Sequence, residues 1–314
     1  MDQGVNETVG HSKTQHDPKG CKPMKEDEIK KTVKEGYAKI AKEESTCCPP
    51  ATNVSRQASL AEHYGETIGY SQKELHSVPE GADLGLGCGN PVALASLLEG
   101  ETVLDLGSGA GLDCFLAAQK VGQTGKVIGV DMTPEMVEKA RSSADKGVYT
   151  NVEFRLGEIE NLPVADHSID VVISNCVINL SPDKKRVFQE AFRVLKSGGR
   201  IMISDIVLTR QLPAFIKESV AGYIACVSGA MMRNEYVACI EAAGFQTVQI
   251  LDETPFPFES LMNDPTARAI VEDTKMTAEE AKEIAGTIVS LKVQGYKADS
   301  HQASLETDQK YCID

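Results

Sequence analysis

Short apolar runs alternate with amphipathic segments over residues 101–208, and this alternation constrains the fold of the 314-residue chain more than any other feature. The predicted strands are residues 102–106, 126–131, 152–156, 170–174 and 200–207, and the predicted helices are residues 112–121, 134–146 and 184–195. Because the strands are apolar along most of their length, we expect both faces of the sheet to be covered. The pattern therefore predicts an α/β fold with a doubly wound, Rossmann-like parallel sheet and helices on both faces.

The regular alternation ends near residue 208, and a different pattern follows. A helix is predicted over residues 234–243, and strands are predicted over 246–251 and 288–293. Before the alternation begins, one amphipathic helix is predicted over residues 26–42. We expect four parts, which are a flexible polar leader over 1–44, a main domain over 45–208, a smaller C-terminal α+β region over 209–297 and a disordered acidic tail over 298–314.

Charge and cysteine usage limit the partners and the compartment. Asp and Glu number 46 against 32 Lys and Arg, so a nucleic-acid partner is not expected. No apolar run approaches the ~20 residues of a membrane span, and the first residues lack the apolar stretch of a secretory signal. Nine cysteines are an odd number for a disulfide framework. We therefore expect a cytoplasmic protein with reactive or ligand-binding thiols and no membrane partner.

The sequence DLGSGAG at residues 105–111 lies between the first predicted strand and the helix that follows it. Glycines there let the backbone turn tightly and approach a ligand, and the helix N-terminus adds free N–H donors and positive potential. The last glycine, Gly111, comes one residue too early for the G-x-G-x-x-G fingerprint of NAD sites. The turn therefore indicates a ligand other than NAD.

Two acidic positions extend this pattern. Asp131 ends the second predicted strand, where a carboxylate can accept hydrogen bonds from both ribose hydroxyls, and Glu158 with Ile159 follows the third strand beside the expected adenine. Together these features resemble class I S-adenosylmethionine-dependent methyltransferases. The resemblance implies S-adenosylmethionine as cofactor, with candidate binding residues Asp105, Gly107, Ser108, Gly109, Gly111, Asp131, Met132, Glu158, Ile159 and Asn175. The alternative is a doubly wound domain with a degenerate nucleotide site.

Five cysteines lie where they could reach the same site. Cys176 directly follows the fourth predicted strand, and ligands of open α/β sheets bind at the carboxyl ends of strands. Cys226 lies beyond the fifth strand, in a segment that commonly roofs the substrate site of such folds, and Cys88 lies in a glycine-rich loop before the first strand. Cys47 and Cys48 lie in a loop stiffened by two prolines. The fold is expected to bring these thiols together.

Thiol clusters suit soft acceptors such as zinc, copper(I), mercury or trivalent arsenic. Zinc fits less well, because the sequence shows no His or acidic ligands at plausible spacing. Trivalent arsenic held by three thiolates keeps a lone pair that can attack the methyl group of a sulfonium donor, and zinc has no such lone pair. For a methyltransferase the chemistry therefore favours arsenic, with no metal cofactor, provided that the thiols and the methyl donor share one pocket.

Longer stretches resemble arsenite methyltransferases, and the resemblance covers residues 45–297. The motifs are VPEGA at 78–82, GLGCGNP at 85–91, NCVINL at 175–180 and CVSGA at 226–230. The resemblance implies that Cys176 and Cys226 bind arsenic throughout and that Cys88 is the third thiol. It also implies a fourth, N-terminal relay cysteine, for which Cys47 and Cys48 are adjacent candidates, and a cofactor-binding main domain followed by a substrate-binding C-terminal region.

The activity implied is stepwise methylation of arsenite to mono- and dimethylated arsenicals, as in arsenic detoxification. Arsenite is expected to arrive as a glutathione conjugate and to exchange onto the thiols. After each transfer, a cysteine pair is expected to reduce the arsenic, form a disulfide and be reset by thioredoxin or a similar reductant.

Two other functions use parts of the same pattern. A methyltransferase of a small organic acceptor, such as a quinone or a sterol-like carbon, would need the cofactor motifs but not Cys88 and Cys226. A non-catalytic thiol sink or sensor for arsenic or heavy metals would need the cysteines but not Asp131. Binding of the methyl donor separates the sink from both enzymes.

Overall fold

The computed structural model describes residues 25–43, 54–213, 216, 226–255 and 277–299. Among the described residues, the chain forms one seven-stranded sheet in the order β3-β2-β1-β4-β5-β7-β6. The strands are β1 Thr102–Leu106, β2 Lys126–Asp131, β3 Val152–Leu156, β4 Ile169–Asn175, β5 Leu195–Leu208, β6 Gln246–Pro255 and β7 Ile288–Tyr296. The predicted α/β architecture is confirmed.

The direction of the strands fixes where a ligand can bind. Strands β1 to β5 are parallel to one another, whereas β7 runs antiparallel between β5 and β6. Chain order reverses between β1 and β4, because β2 and β3 extend the sheet on one side and β5 extends it on the other. Such a switch point opens a crevice at the carboxyl ends of the strands. The turn that follows β1 and the residues that follow β4 meet there.

Helices cover the sheet and the crevice. The described helices are α1 Glu26–Glu43, α2 Val54–Thr67, α3 Gln72–Leu75, α4 Pro91–Leu94, α5 Leu112–Val121, α6 Pro134–Lys146, α7 Lys184–Val194, α8 Arg233–Ala242 and α9 Ala278–Ala285, with a short 3₁₀ helix at Ile178–Leu180. No helix among them combines the length and the apolar character that crossing a bilayer requires.

Alternate residues of the central strands enter different buried clusters. Leu104 and Leu106 belong to one cluster and Val103 to another, and Val172 and Ile173 of β4 divide in the same way. Because successive side chains of a strand point to opposite faces, both faces of the sheet are covered. The prediction that both faces of the sheet are covered, made from the apolar strands, is confirmed.

Strand β5 differs from its predicted bounds. It begins at Leu195 rather than at residue 200, and helix α7 accordingly ends at Val194. The pairing with β4 shifts register between Ile169 and Val171, so residues 196–199 form an irregular stretch. Gly198 there has a φ of 75°. The glycines mark an irregularity in the strand rather than a loop before it.

The first helix packs onto the main sheet domain. Ile29 and Val33 of α1 are buried, and Val33 is completely enclosed. Lys42 forms an ion pair with Glu135 of α6 at 2.9 Å. The predicted helix over residues 26–42 is therefore confirmed, and it packs against the main domain. The rest of the predicted leader and the tail from residue 300 onward lie outside the described residues.

Candidate functional site

The turn after β1 folds around the end of β2. The amides of Gly107 and Ser108 donate to the carbonyl of Val130 at 2.8 and 3.0 Å. Gly109 has a φ of 52°, and a Cβ built on it would meet nothing within 4 Å. The Oγ of Ser108 is buried without a hydrogen-bond partner among the described residues. An open glycine beside an unpartnered buried hydroxyl fits a bound polar ligand.

Asp131 holds this turn in place. One of its carboxylate oxygens accepts from the amide of Gly109 at 3.0 Å, and the other accepts from the amide of Thr133 at 2.8 Å. Burial raises the pKa of Asp131, and the two amides oppose that shift. Each carboxylate oxygen has two acceptor positions, so the carboxylate retains capacity for ribose hydroxyls. The prediction of Asp131 as the ribose residue fits this geometry.

The other predicted cofactor residues have different surroundings. Met132 is partly buried, and Ile159 is buried in the large cluster that contains Leu104 and Leu106. The carboxylate of Asp105 is enclosed and accepts from the Cys114 thiol at 3.3 Å. Burial raises the pKa of Asp105 well above its ordinary value.

Helix α1 closes one side of the expected adenine region. The Lys30 ammonium lies 2.7 Å from Glu158 and 3.3 Å from Glu160. A cavity of about 420 Å³ separates the helix from the ends of β2 and β3, and its lining includes Lys30, Met132 and Glu158. Two of the predicted cofactor residues therefore line a cavity walled by α1.

The side chain of Asn175 links the end of β4 to the loop that carries Cys88 and to two buried side chains. Its Oδ1 accepts from the amide of Cys88 at 2.9 Å, and its Nδ2 lies 2.7 Å from the carbonyl of Gly89. The same amide nitrogen lies 2.9 Å from the Tyr70 hydroxyl and 3.1 Å from Asp113. The sequence predicts Asn175 as a cofactor residue, and the structure shows that it joins the Cys88 loop to the end of β4.

The Tyr70 hydroxyl completes this buried network by donating to Asp113 at 2.7 Å. Burial raises the pKa of Asp113 to about 6, although hydrogen bonds from Tyr70 and Asn175 favour the ionised form. A hydrogen bond to a charged group contributes more than one to a neutral group. The contribution of the Tyr70 hydroxyl should therefore depend on whether Asp113 is ionised.

We expect Tyr70→Phe to lower the free energy of unfolding by about 2 kcal/mol near pH 8, where Asp113 is ionised. Removing the donor raises the folded-state pKa of Asp113 further. As the pH falls through about 6, Asp113 becomes protonated, and the loss should shrink to about 1 kcal/mol or less. Urea unfolding at several pH values measures this, with the exposed Tyr296→Phe as control. A loss that is the same at every pH would contradict it.

The three central thiols lie together, as predicted. Cys88 and Cys176 form a disulfide, with their Cα atoms 5.8 Å apart. The Cys226 thiol donates to the carbonyl of Cys176 at 3.0 Å. Cys176 and Cys226 both have left-handed backbone conformations, with φ of 56° and 62°. Since this region is unfavourable for non-glycine residues, surrounding packing must hold both cysteines in place. Cys47 and Cys48 lie outside the described residues.

The thiols also adjoin the glycine turn. A Cβ on Gly107 would overlap the side chain of Val177, the residue that follows Cys176. Gly107 itself has a φ of 67°. The turn after β1 and the cysteine after β4 therefore pack directly against each other, at the switch point of the sheet.

Sequence reasoning missed two groups beside the thiols. Asp205 of β5 is fully buried, and one of its oxygens lies within 4.8 Å of the sulfurs of Cys88 and Cys176. The Tyr37 hydroxyl of α1 lies 3.9 Å from the Cys226 sulfur. A charged residue inside the apolar stretch RIMISDIV was the available signal for Asp205. The expectation that no acidic residue accompanies the thiols is wrong, because strand pairing supplies one that sequence spacing does not reveal.

Comparisons with known proteins identify relatives of this chain. A family model described as a methyltransferase domain matches residues 97–244. The chain is 50% identical over 230 residues to an arsenite methyltransferase of Halobacterium salinarum, covering 71% of this chain and 59% of that protein. It is 35% identical over 233 residues to an arsenite methyltransferase of Homo sapiens, again covering 71% and 59%. The chain thus spans about three fifths of the length of these curated relatives.

This chain covers a larger share of one solved structure than of these curated relatives. The arsenic(III) S-adenosylmethionine methyltransferase from Chlamydomonas reinhardtii is 32% identical, with a TM-score of 0.55, over 80% of this chain and 74% of that chain. A geranyl diphosphate C-methyltransferase from Streptomyces coelicolor A3(2), solved with S-adenosyl-L-homocysteine, is 17% identical with a TM-score of 0.53. The second likeness shows the fold alone.

Proposed function

The chain belongs to the arsenic(III) S-adenosylmethionine methyltransferase family, and on that premise we propose that it methylates trivalent arsenic bound by cysteine thiolates. The observation that carries the proposal is the convergence of three buried cysteines at the switch point, beside the glycine turn. An enzyme for a small organic acceptor would have no need of this thiol set. A thiol sink would have no need of the turn and its ribose acid.

The residues of the turn fit the cofactor. The open side of Gly109, the unpartnered Ser108 hydroxyl and the Asp131 carboxylate would hold S-adenosylmethionine, and Met132 and Glu158 would lie on its adenine side. When bound, this group supplies an electrophilic methyl on a sulfonium centre, for which the lone pair of arsenic is the nucleophile. Residues 45–208 would then form the cofactor-binding part. Residues 209–297, whose two described strands extend the same sheet, would complete the substrate side.

The chain itself would position and shield the arsenic. Three thiolates bound to trivalent arsenic give a neutral centre, which suits a site where Cys88, Cys176 and Cys226 are each less than a tenth exposed. No general base is needed, because the lone pair of arsenic carries no proton. Holding both reactants in one orientation contributes up to ~7–11 kcal/mol to such a reaction. Exclusion of water by the buried thiol cluster would protect the arsenic–thiolate bonds.

The proposal includes a thiol-based reduction step. Methyl transfer leaves arsenic pentavalent, and two cysteines that form a disulfide return two electrons to it. The Cys88–Cys176 disulfide supports this chemistry, because it joins two of the proposed ligands. While that bond persists Cys176 cannot bind arsenic, so the arsenic-binding form of the site is the reduced one. A glutathione conjugate of arsenite as substrate, thioredoxin as the reductant of the disulfide, and a reducing cytoplasmic setting complete the proposal.

Purified protein supplied with arsenite, S-adenosylmethionine, glutathione and a thioredoxin system tests the activity. Chromatography with element-specific detection should show mono- and dimethylated arsenic. Cofactor binding without methylated arsenic would instead favour an organic acceptor. Arsenite binding without any cofactor binding would favour a thiol sink.

A relay role for the N-terminal cysteines predicts a turnover defect. We expect that one of Cys47→Ser and Cys48→Ser will keep a near-normal first turnover but stop after about one equivalent of product, because the relay thiol is needed only for reduction. Rapid-quench measurement of product against enzyme concentration checks this, and the other variant of the pair serves as control. Sustained turnover by both variants, and by the double variant, would contradict a relay role.

A further inference from the structure

The buried carboxylate of Asp205 lies beside the thiols. The proposed methyl transfer to arsenic does not use this carboxylate. Asp205 lies in β5, and one of its oxygens is within 4.8 Å of the sulfurs of Cys88 and Cys176. Cys226 packs with Cys88 and Cys176 in one buried apolar cluster, but its sulfur lies outside the group of three side chains whose ligand atoms are all within 4.8 Å of one another. Arsenic(III) bound by three thiolates has its lone pair in the fourth position, so the carboxylate is an additional donor in this pocket.

Three hydrogen bonds fix the Asp205 carboxylate and leave it able to bind a ligand. Oδ1 accepts from the Asn179 amide at 2.8 Å and from the Ile206 backbone at 2.9 Å, and Oδ2 accepts from the Tyr236 hydroxyl at 2.9 Å. Because a carboxylate oxygen has two acceptor positions, Oδ2 keeps one lone pair in addition to its bond with Tyr236. Ligating carboxylates in metal sites are commonly hydrogen-bonded in this way.

Thiolates and a carboxylate together form a ligand set that differs from that of arsenic. Zinc takes four ligands in tetrahedral geometry and accepts sulfur and carboxylate oxygen together, and cadmium is a larger ion with the same filled d shell. Lys184 is half-buried; burial lowers the pKa of its ammonium, and the charges of Asp205 and Cys226 oppose that shift. Its ammonium would offset part of the negative charge that three thiolates and a carboxylate bring to one divalent ion.

We propose that the reduced protein binds one zinc or cadmium ion through Cys88, Cys176, Cys226 and Asp205, and that this ion competes with arsenite for the thiols. The competition rests on the proposed arsenic site, whereas the binding of the cation requires no methyl transfer. The Cys88–Cys176 disulfide removes two of the ligands, so oxidised protein should not bind the ion.

The Asp205→Asn variant separates the two ligand sets. An asparagine can keep the hydrogen bonds, since its carbonyl accepts from Asn179 and Ile206 and its amide donates to the Tyr236 oxygen. We expect Cd²⁺ affinity to fall by about tenfold or more, with arsenite affinity nearly unchanged. The full chain, reduced with a phosphine and free of cofactor, would be titrated with Cd²⁺ and separately with arsenite, following thiolate charge-transfer absorption. Asp145→Asn, on the exposed side of α6, is the matched control.

Two results of the titration would overturn the proposal. Unchanged Cd²⁺ affinity in Asp205→Asn would show that the thiols alone bind the ion. An equal loss of Cd²⁺ and arsenite affinity would show that Asp205 only supports the structure of the site.

X-ray absorption at the cadmium edge of the wild-type complex gives a second test that needs no variant. We expect a shell of sulfur with one oxygen, and a shell of sulfur alone would overturn the proposal. Binding of Cd²⁺ that depends on Asp205, in a protein that fails to methylate arsenite, would leave this site standing while rejecting the proposed function. Arsenite methylation by a protein that does not bind Cd²⁺ would reject this cation site and leave the proposed function standing.

Discussion

Replacing Cys176 with serine is expected to lower arsenite methylation by about 100-fold or more, with little change in binding of S-adenosylmethionine. Cys176 forms the disulfide with Cys88 and offers its carbonyl to the Cys226 thiol. It therefore lies at the centre of the thiol set. A serine oxygen is a poor ligand for a soft acceptor, so the arsenic would lose a bond and its fixed position. Product formation and cofactor affinity would be measured on the same preparation.

Cys239→Ser is the matched control for that variant. Cys239 lies on α8, half-buried against the large core cluster, and takes no part in the thiol site. The Cys239→Ser variant should keep near-normal activity. Full activity of Cys176→Ser would remove the thiol site from the mechanism and favour an organic acceptor. A parallel loss of cofactor binding would point to local collapse instead, and the left-handed backbone at Cys176 makes that comparison necessary.

The second large effect is expected at Asp131. Asp131→Ala should weaken the binding of S-adenosylmethionine by about 100-fold, because hydrogen bonds to a charged group contribute roughly 1.5–3 kcal/mol each. The carboxylate is proposed to bind the ribose, and it also holds the amides of Gly109 and Thr133. Equilibrium dialysis with labelled cofactor measures the loss, and arsenite binding to the thiols should remain.

Asp145→Ala on the exposed face of α6 is the control for general effects of removing an acid. Unchanged cofactor affinity in Asp131→Ala would reject the ribose assignment. An equal loss of arsenite binding would mean that the glycine turn and the thiols depend on one another structurally, as the contact between Gly107 and Val177 would permit.

Local patterns were sufficient for most of the elements. Strand β1, helix α5 and strand β2 were predicted with their observed bounds, because strand periodicity and the glycines between the elements are local signals. The start of β5 was missed, since Ser197, Gly198 and Gly199 are a typical loop sequence and only the pairing with β4 reveals the strand. Helices α3 and α4 have four residues each, which is too short for a periodic pattern.

Only the parts of the site that have a local sequence signal could be predicted. The glycine turn and Asp131 follow strands directly, so their place at the sheet edge follows from sequence. Asn175 was identified, but its link to Cys88 joins positions 87 residues apart. Asp205 was missed because the acid reaches the thiols only through the order of the strands. Contacts between distant segments are set by tertiary packing, and a single sequence carries no local signal for them.

The Cys88–Cys176 bond has a consequence for the chain as a polymer. Its two ends are 88 residues apart, and the segment between them contains all of β1, β2, β3 and β4. In the oxidised protein this segment is a covalent ring. A single peptide-bond cut within it opens the ring but leaves the two fragments tied together. By restricting the denatured ensemble, a ring of this size also raises the free energy of unfolding by about 4–5 kcal/mol in the loop-entropy model. The thiol pair that we place at the arsenic site thus also determines whether the first half of the sheet is topologically linear or circular.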